Sequence, residues 1–336
     1  MRKNNVSYPL SGAGKAWFLG KQAALRLCHI GIVLLGITFL SFSLLHMAPG
    51  DPAEKYLTGG DGNVGLISEE AIQAQREKWG LDKPFLVQYV TWLGNALRGD
   101  LGESFATGNP VVTELWDKIG PTVILALASL FVTLLVSIPL GVLCAVYKDR
   151  LLDNICRVVS FVGISVPSFL SSLLLLYFFA MKLQWFPVIS RGGIQGLVLP
   201  VAVLAFQCSA KFTRQVRAVV LEQLHQEYVR GAVARGVKKS RILFDHVLRN
   251  AWLPIVTWAG IYFGVFLGGA AVVETVFSWQ GIGQLAVESV ASKDYQMIQG
   301  IVLWMAVLYL AVNFLVDISY TFLDPRVRLG KRGDRL

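Results

Sequence analysis

Residues 119–147 read IGPTVILALASLFVTLLVSIPLGVLCAVY, a run of 29 without one Asp, Glu, Lys or Arg. An α-helix rises about 1.5 Å per residue, so roughly 20 apolar residues carry it across the hydrocarbon core of a bilayer. This run does so with residues to spare. Five more uncharged runs share the pattern: 27–50, 158–181, 192–210, 250–273 and 295–316, of 24, 24, 19, 24 and 22 residues. Together the six make up about two-fifths of the 336-residue chain. They account for a 54% hydrophobic composition and a mean hydropathy of +0.55, outside the range of an ordinary soluble domain. The pattern predicts an all-α polytopic membrane protein with six transmembrane helices. Basic residues precede the first run, as in a signal peptide, but it exceeds the usual 7–15-residue apolar core, and Ala48-Pro-Gly-Asp-Pro52 is a poor cleavage site. It reads as an uncleaved first span.

Charge sets the expected orientation. Residues 1–26 carry Arg2, Lys3, Lys15, Lys21 and Arg26 with no acid, a net +5, whereas residues 51–118 hold 6 basic and 11 acidic side chains, a net −5. The remaining connections carry +1 over 148–157, +2 over 182–191, +6 over 211–249, −2 over 274–294 and +2 from 317 onward. Alternate connections therefore total +14 on one side and −5 on the other. Lys/Arg-rich connections stay in the cytoplasm, which predicts cytoplasmic N- and C-termini and a cytoplasmic loop 211–249. The net +9 of the chain is a topology signal before it is a nucleic-acid signal. The predicted organisation is a cytoplasmic segment 1–26, a first span 27–50, an extracytoplasmic loop 51–118, and a core 119–336 that includes loop 211–249 and a tail 317–336.

Within the extracytoplasmic loop, Ser68-Glu-Glu opens a predicted helix and Gly80 closes it. A second helix is predicted to begin with Pro84 in its first turn. Its Phe85, Tyr89, Trp92, Leu93 and Leu97 follow helical spacing and present one apolar face to the bundle or the interface. Gly260, Gly264 and Gly268 form a small-residue stripe suited to close helix packing. Pro139, Pro167 and Pro200 are expected to interrupt their spans, as structural kinks or as the lining of a translocation path. Glu274 and Asp317 fall at span ends, where a solvated or helix-capping role is expected.

Catalytic signatures are missing. Ser11-Gly-Ala-Gly-Lys15 resembles a phosphate loop but lacks the glycine five positions before the lysine, and Ala16 replaces the Ser/Thr that would hold Mg²⁺. There is no H-E-x-x-H, no G-x-S-x-G, and no acid at the centre of a span such as proton- or sodium-coupled carriers use. Cys28, Cys144, Cys156 and Cys208 lie in or beside spans without a C-x-x-C, and read as small apolar helix residues. His29, His46, His225 and His246 are scattered without ligand spacing. No catalytic residue, metal site or cofactor is predicted in this chain, and nothing in it can power transport alone.

The longest basic connection holds nine Lys/Arg against three Asp/Glu over 211–249, and ends in EYVRGAVARGVKKSRILFDHVLRN, residues 227–250. It predicts a short helix over 228–235, a stop at Gly236, and a second helix capped by Ser240 and running through 248. Gly231, Ala232 and Ala234 would present little side-chain bulk to a neighbour. Ala232-x-x-x-Gly236 matches the spacing of a helix-turn-helix, but DNA reading needs a soluble module free to enter a major groove, and this segment joins two spans. Contact with anionic lipid would explain the charge, though not the small residues and the glycine. A secondary carrier or channel with such a loop would predict midplane charges or two inverted halves with broken helices, and neither is visible. A docking helix for another protein accounts for all three features.

This stretch resembles the cytoplasmic coupling (EAA) loop of ABC importer permeases, in the version found in dipeptide, oligopeptide and nickel permeases. The matching residues are Glu227-Tyr-Val-Arg230, Ala232-x-x-x-Gly236 and His246-x-Leu-Arg249-Asn250-Ala, with Pro254 behind. Further pieces occur in order: Pro49-Gly-Asp-Pro52, Gly80-Leu-Asp-x-Pro84, Gly99-Asp-Leu-Gly-x-Ser104, Val166-Pro-Ser-Phe169, Glu274-Thr-Val-Phe-Ser-Trp-Gln-Gly-Ile-Gly283, Lys293-Asp-Tyr, Gln299 and Leu323-Asp-Pro-Arg326. Arg230 stands where the broader importer pattern has an acid, as is usual in this branch. Gln280 replaces the branch's usual proline. The resemblance implies a type I permease fold and one half of a translocation pathway for peptides, nickel or a nickel chelate. It also implies a second permease subunit, two cytoplasmic ABC ATPases and an extracytoplasmic solute-binding protein, with Glu227, Tyr228, Arg230, Gly231, Ala232, Arg235, Gly236, His246, Arg249 and Asn250 at the ATPase contact. The bilayer is a further partner, nucleic acid is not, and the implied location is the bacterial cytoplasmic membrane. The short connection 182–196 is similar to that of nickel-type permeases more than to dipeptide permeases with an insertion there.

Overall fold

The computed structural model describes residues 12–58, 68–190 and 193–323, with side chains described within residues 28–316. The readings made on residues 1–11, on Asp324-Pro-Arg326 and on the Asp317 side chain lie outside the described residues.

The first apolar run forms part of helix α1, Gly12–Met47, whose membrane-length portion is Cys28–Met47. Gly50, at φ +98°, turns the chain out of it. Asp51 then caps the short α2, Pro52–Leu57, by accepting from the Ala53 amide at 2.8 Å. Helix α3, Glu69–Trp79, starts and stops where the sequence indicates: the Ser68 hydroxyl accepts from the Ala71 amide, and Gly80 closes it at φ +69°. In α4, Phe85–Ala96, Pro84 sits just before the first turn rather than within it. Its Tyr89 and Trp92 are buried against the bundle, whereas Leu97, counted on the same face, is 82% exposed. The Tyr89 hydroxyl lies 3.1 Å from the Thr38 hydroxyl of α1.

The core helices follow as α5 (Val111–Val146), α6 (Leu151–Ser165), α7 (Ser168–Leu175, prolonged by a π-helical turn Leu176–Lys182) and α8 (Gly193–Leu224). After them come α9 (Glu227–Ala234), α10 (Lys239–Arg241), a π-helical segment Ile242–Val247, α11 (Leu248–Gly269), α12 (Ala271–Val276), α13 (Ile282–Ser292) and α14 (Tyr295–Leu323). Among the described residues, five helices have the length and composition to cross a membrane, and the α6–α7 pair makes six crossings if it is one span.

That pair carries the interruption expected at Pro167, its axis bending by 100°. Pro167 has no amide to donate and forces Val166 into an extended conformation, φ −83°, ψ 123°. The Val166 carbonyl finds a substitute donor, the Gln207 side-chain amide at 2.9 Å. Pro139 and Pro200, by contrast, do not interrupt anything, because both lie inside the continuous helices α5 and α8. Neighbouring helices brace those long helices, so one lost hydrogen bond is absorbed without a break.

The largest core cluster surrounds α8, which packs along α5, α6 and α11. Close approach of α5 comes from fully buried Ser129, Thr133 and Ser137 at four-residue intervals. It ends at Gly141, where a Cβ would fall 2.6 Å from that of Val216. A second cluster joins α1, α4, α5, α13 and α14 through Phe42, Tyr89, Trp92, Leu115, Ile282 and Met297. Other apolar side chains point outward along the spans, such as Phe131, Leu135 and Phe161, as befits helices surrounded by lipid or partner helices.

Candidate functional site

The basic loop is built on the helices that flank it. Helix α8 continues 14 residues beyond Ala210, the end of its uncharged run, before stopping at Leu224. Two residues, His225 and Gln226, separate it from α9. Gly236, at φ +74°, ends the following turn, and only Val237 and Lys238 precede α10. From Lys239 the helix runs through its π-helical segment into α11 without a gap. The expected cap at Ser240 is therefore corrected. Lys238 occupies the N-cap without a side-chain bond, and Ser240 lies within α10, because the helix begins earlier than the hydrophobic period shows.

Helix α9 is held by Val229 and Ala232, both buried in the core cluster with Ile242 and Val247. Ala232 thus faces its own chain, and the expectation that it presents itself to a neighbour is overturned: three residues on from Val229, it shares the inward face. Glu227, Tyr228, Arg230, Gly231, Ala234, Arg235 and Gly236 are exposed, and nothing lies within 4 Å of a Cβ built on Gly231. Glu227 and Arg230 pair at 3.1 Å on the solvent side, a contact worth little. The sequence reading missed Val233, 59% exposed, and Phe244, 65% exposed. These two apolar side chains stand among the cations of the loop, and only the burial of Val229 and Ala232 shows which way Val233 points. His246, Arg249 and Asn250 are exposed farther along, with the Asn250 amide donating to the His246 carbonyl at 3.0 Å. Phe244 and Arg249 line a pocket of about 500 Å³ with Ile138, Asp245 and Trp252.

At the opposite end of α11 the long motif forms a buried knot. Glu274 is fully buried, so of the two expected roles, solvated or helix-capping, the structure shows the second. Its carboxylate accepts from the Thr122 hydroxyl at 2.9 Å and from the Gln284 amide at 3.0 Å, so it caps the next helix, α13, rather than its own. The Thr122 oxygen in turn accepts from the Ile282 amide at 2.8 Å, and the Trp279 indole donates to the Pro121 carbonyl at 3.0 Å. Gly283 is required here, since a Cβ would fall 2.5 Å from the Ala271 Cα and 2.8 Å from the carboxylate. Burial raises the Glu274 pKa above the ordinary carboxyl value, while bonds from Gln284, Thr122 and Gly283 pull it down. The turn closes without the proline of the related sequences: Gln280 is exposed, and the Trp279 amide donates to the Glu274 carbonyl at 2.8 Å.

Other motif pieces, far apart in sequence, meet at this same end. Lys293 donates to the Pro49 carbonyl at 2.8 Å. Asp294 is buried, takes the Ser104 hydroxyl and the Ala106 amide, and caps α14 through the Met297 amide at 3.0 Å. Gln299 donates to the Thr38 carbonyl at 2.7 Å. On the glycine stripe, a Cβ on Gly260 would collide with Val316 and one on Gly264 with Tyr309, both of α14, whereas Gly268 has nothing within 4 Å. No group of three or more His, Cys, Asp or Glu able to hold a metal ion occurs among the described residues.

A bundle of membrane-length helices with a helical loop at one end defines a polytopic α-helical membrane protein. The chain belongs to the binding-protein-dependent transport system inner membrane component family, which matches residues 137–329, and its N-terminal companion matches residues 23–126. It is thus a multi-pass protein of the bacterial inner membrane and an ABC importer permease. It is 38% identical over 313 residues to the oligopeptide transport system permease protein AppB of Bacillus subtilis, covering 88% of this chain and 95% of that one. It is 34% identical over 303 residues to the glutathione transport system permease protein GsiC of an Escherichia coli strain, covering 90% and 97%. A chain of the inward-facing MetNI methionine ABC transporter has the same fold, with a TM-score of 0.53 at 18% identity over 62% of this chain and 96% of that one.

Proposed function

We propose that this chain forms half of the translocation pathway of a peptide importer and that α9 is the element an ATPase moves. The observation that carries the reading is the mechanical continuity of the loop. Helix α9 is clamped inward by Val229 and Ala232, joined by a two-residue link to α8 and a four-residue link to α10, and exposes Tyr228, Arg230, Val233 and Arg235. A force on that surface is delivered to two spans at once. The basic charge of residues 211–249 supports a cytoplasmic position, where two ATP-hydrolysing subunits would grip this loop and its counterpart on a second, different permease subunit. An extracytoplasmic binding protein would deliver the solute, as the family's description implies. Peptide is favoured over nickel because AppB and GsiC are named for oligopeptide and glutathione transport.

Val233→Asp tests the docking surface without touching the inward clamp, and Gly236→Trp adds bulk at the end of the helix. Both should insert normally, lose ATPase co-purification and lose uptake of a labelled peptide. Normal co-purification and uptake in both variants would refute the assignment. The substrate class is checked separately, by calorimetric titration of the partner binding protein with di- and oligopeptides and with Ni²⁺.

A further inference from the structure

A pocket of about 550 Å³ opens between α6, α8 and α11, lined by Arg157, Lys211, Arg214, Gln215, Arg217 and Tyr262. Its cations are not equivalent. Fully buried Asp153 accepts from two Arg217 nitrogens at 2.7 and 2.9 Å and from Arg157 at 2.7 Å. Arg157 also reaches Asp149 at 2.7 Å. Those two arginines are committed to acids of this chain. Lys211 and Arg214, both exposed, form no ion pair among the described residues. Tyr262 is 7% exposed and rests edge-on against Phe212, yet its hydroxyl makes no hydrogen bond among the described residues. Two free cations and one unpartnered hydroxyl therefore face the same space.

The depth of the pocket identifies the kind of ligand. Lys211 lies 18 residues along α8 from Gly193, roughly 27 Å of helix, close to the thickness of a hydrocarbon core. It is the first charged residue after the uncharged run 192–210, and Arg157 is the last before the run 158–181. Both mark where charge resumes on α6 and α8 at the loop-bearing end, while Tyr262 of α11 lies within the uncharged run 250–273, so the pocket reaches from that level into the span. Just beyond them, on the hydrocarbon side, Val158, Phe161 and Phe206 are exposed apolar side chains. An anion with apolar chains attached matches this arrangement, with charge at the level of Lys211 and hydrocarbon beside α6.

We propose that this pocket binds the phosphate of an anionic phospholipid, with Lys211 and Arg214 supplying the charge and the Tyr262 hydroxyl donating a hydrogen bond. Such a lipid would tie α6, α8 and α11 together at the level where the loop helices leave the membrane. Two juxtamembrane cations should favour phosphatidylglycerol over phosphatidylcholine about 30-fold. The full chain, purified in micelles doped with one lipid or the other, is examined by native mass spectrometry. Wild type should retain phosphatidylglycerol preferentially, Lys211→Gln/Arg214→Gln should bring the two lipids near parity, and Tyr262→Phe should fall between. Lys238→Gln/Lys239→Gln, which removes the same charge from the loop, should change nothing. Equal retention of the two lipids by wild type, an undiminished preference in Lys211→Gln/Arg214→Gln, or an equal loss in the loop control would overturn the proposal. Added inorganic phosphate distinguishes the sources. Displacement of the lipid shows that a free phosphate suffices, and resistance shows that the chains contribute, the site standing in either case.

Discussion

Glu274→Ala is expected to cost about 3–5 kcal/mol of stability, far more than a substitution at a span end ordinarily does. The carboxylate is fully buried and is the acceptor for the Thr122 hydroxyl and the Gln284 amide, with Gly283 contributing a further backbone bond. Each buried donor left without an acceptor costs about 1–3 kcal/mol, and water admitted to the vacated space brings the sum toward the lower end. Thr122→Val removes one of those donors and also strips the Ile282 amide of its acceptor, for about 2–3 kcal/mol. Because the two side chains share one network, the double variant should be less destabilised than the sum, with a coupling of at least about 1 kcal/mol. The exposed neighbour Thr275, whose hydroxyl only bonds the Ala271 carbonyl within its own helix, serves as control, and Thr275→Val should stay within about 0.5 kcal/mol of wild type. The assay is equilibrium unfolding of the purified chain by sodium dodecyl sulfate in mixed micelles, followed by tryptophan fluorescence. Additive single-variant losses, or a Glu274→Ala protein as stable as the control, would refute the network. The pH dependence has a definite sign. Burial raises the folded-state pKa above the unfolded carboxyl value near 4.3. The stabilisation this group supplies is therefore complete below the unfolded value and is lost as pH rises through the folded one. The stability of wild type minus that of Glu274→Gln should accordingly fall with rising pH across that window.

Three further outcomes are expected in the same unfolding assay. Gly283→Ala should cost about 3 kcal/mol, because its Cβ would meet the Ala271 Cα, a backbone atom that cannot step aside as a side chain can. Asp153→Asn should cost about 3 kcal/mol, the low end for breaking a buried ion pair, since the Arg217 side chain is still 21% exposed. Arg217→Gln in the Asp153→Asn background should recover part of that loss. On the glycine stripe, Gly260→Ala and Gly264→Ala should each cost about 1–3 kcal/mol through collision with Val316 and Tyr309, while Gly268→Ala should be neutral within about 0.5 kcal/mol. Equal effects at all three glycines would contradict the packing of α11 on α14.

What the sequence shows and what it hides follow from range. Span length, the Ser68 cap and the Gly80 and Gly236 stops are written in local residue types, and they were legible. The 100° bend at Pro167 was half legible: proline marks the place, but the angle depends on what α7 packs against. Pro139 and Pro200 carry the same local signal and yet stay inside continuous helices, because the bracing comes from α8 and its neighbours. For Glu274 the solvated and helix-capping roles stayed open, because position relative to a span says nothing about α12 and α13 folding back over it. The partners that bury it, Thr122 and Gln284, stand 152 positions before it and 10 after. The same holds for Asp153, whose partner Arg217 is 64 positions away. Ala232 was misread at shorter range, because α9 has two faces and only the packing against the π-helical segment selects which one is inward.

The two ends of the molecule are joined by one element. From Lys239 an unbroken helical path leads through α11 to Gly269, and a single residue separates it from α12, which carries Glu274. A displacement imposed at α9 therefore reaches the Thr122–Glu274–Gln284 knot through a rod rather than through a chain of soft contacts, and α5 enters the same knot through Thr122. Buried, hydrogen-bonded groups have few alternative geometries, so the knot resists a small displacement of α11 instead of dissipating it. The α5–α11–α13 junction should then move as one body, and motion should concentrate where the chain is weakest: at the α6–α7 break and in the short joints around α9. Disulfide trapping across the knot, with Thr122 and Ile282 replaced by cysteines in a chain freed of its own four, should leave peptide uptake at the level of the same variant kept reduced. Trapping that arrests uptake would place the moving parts inside the knot and defeat the argument.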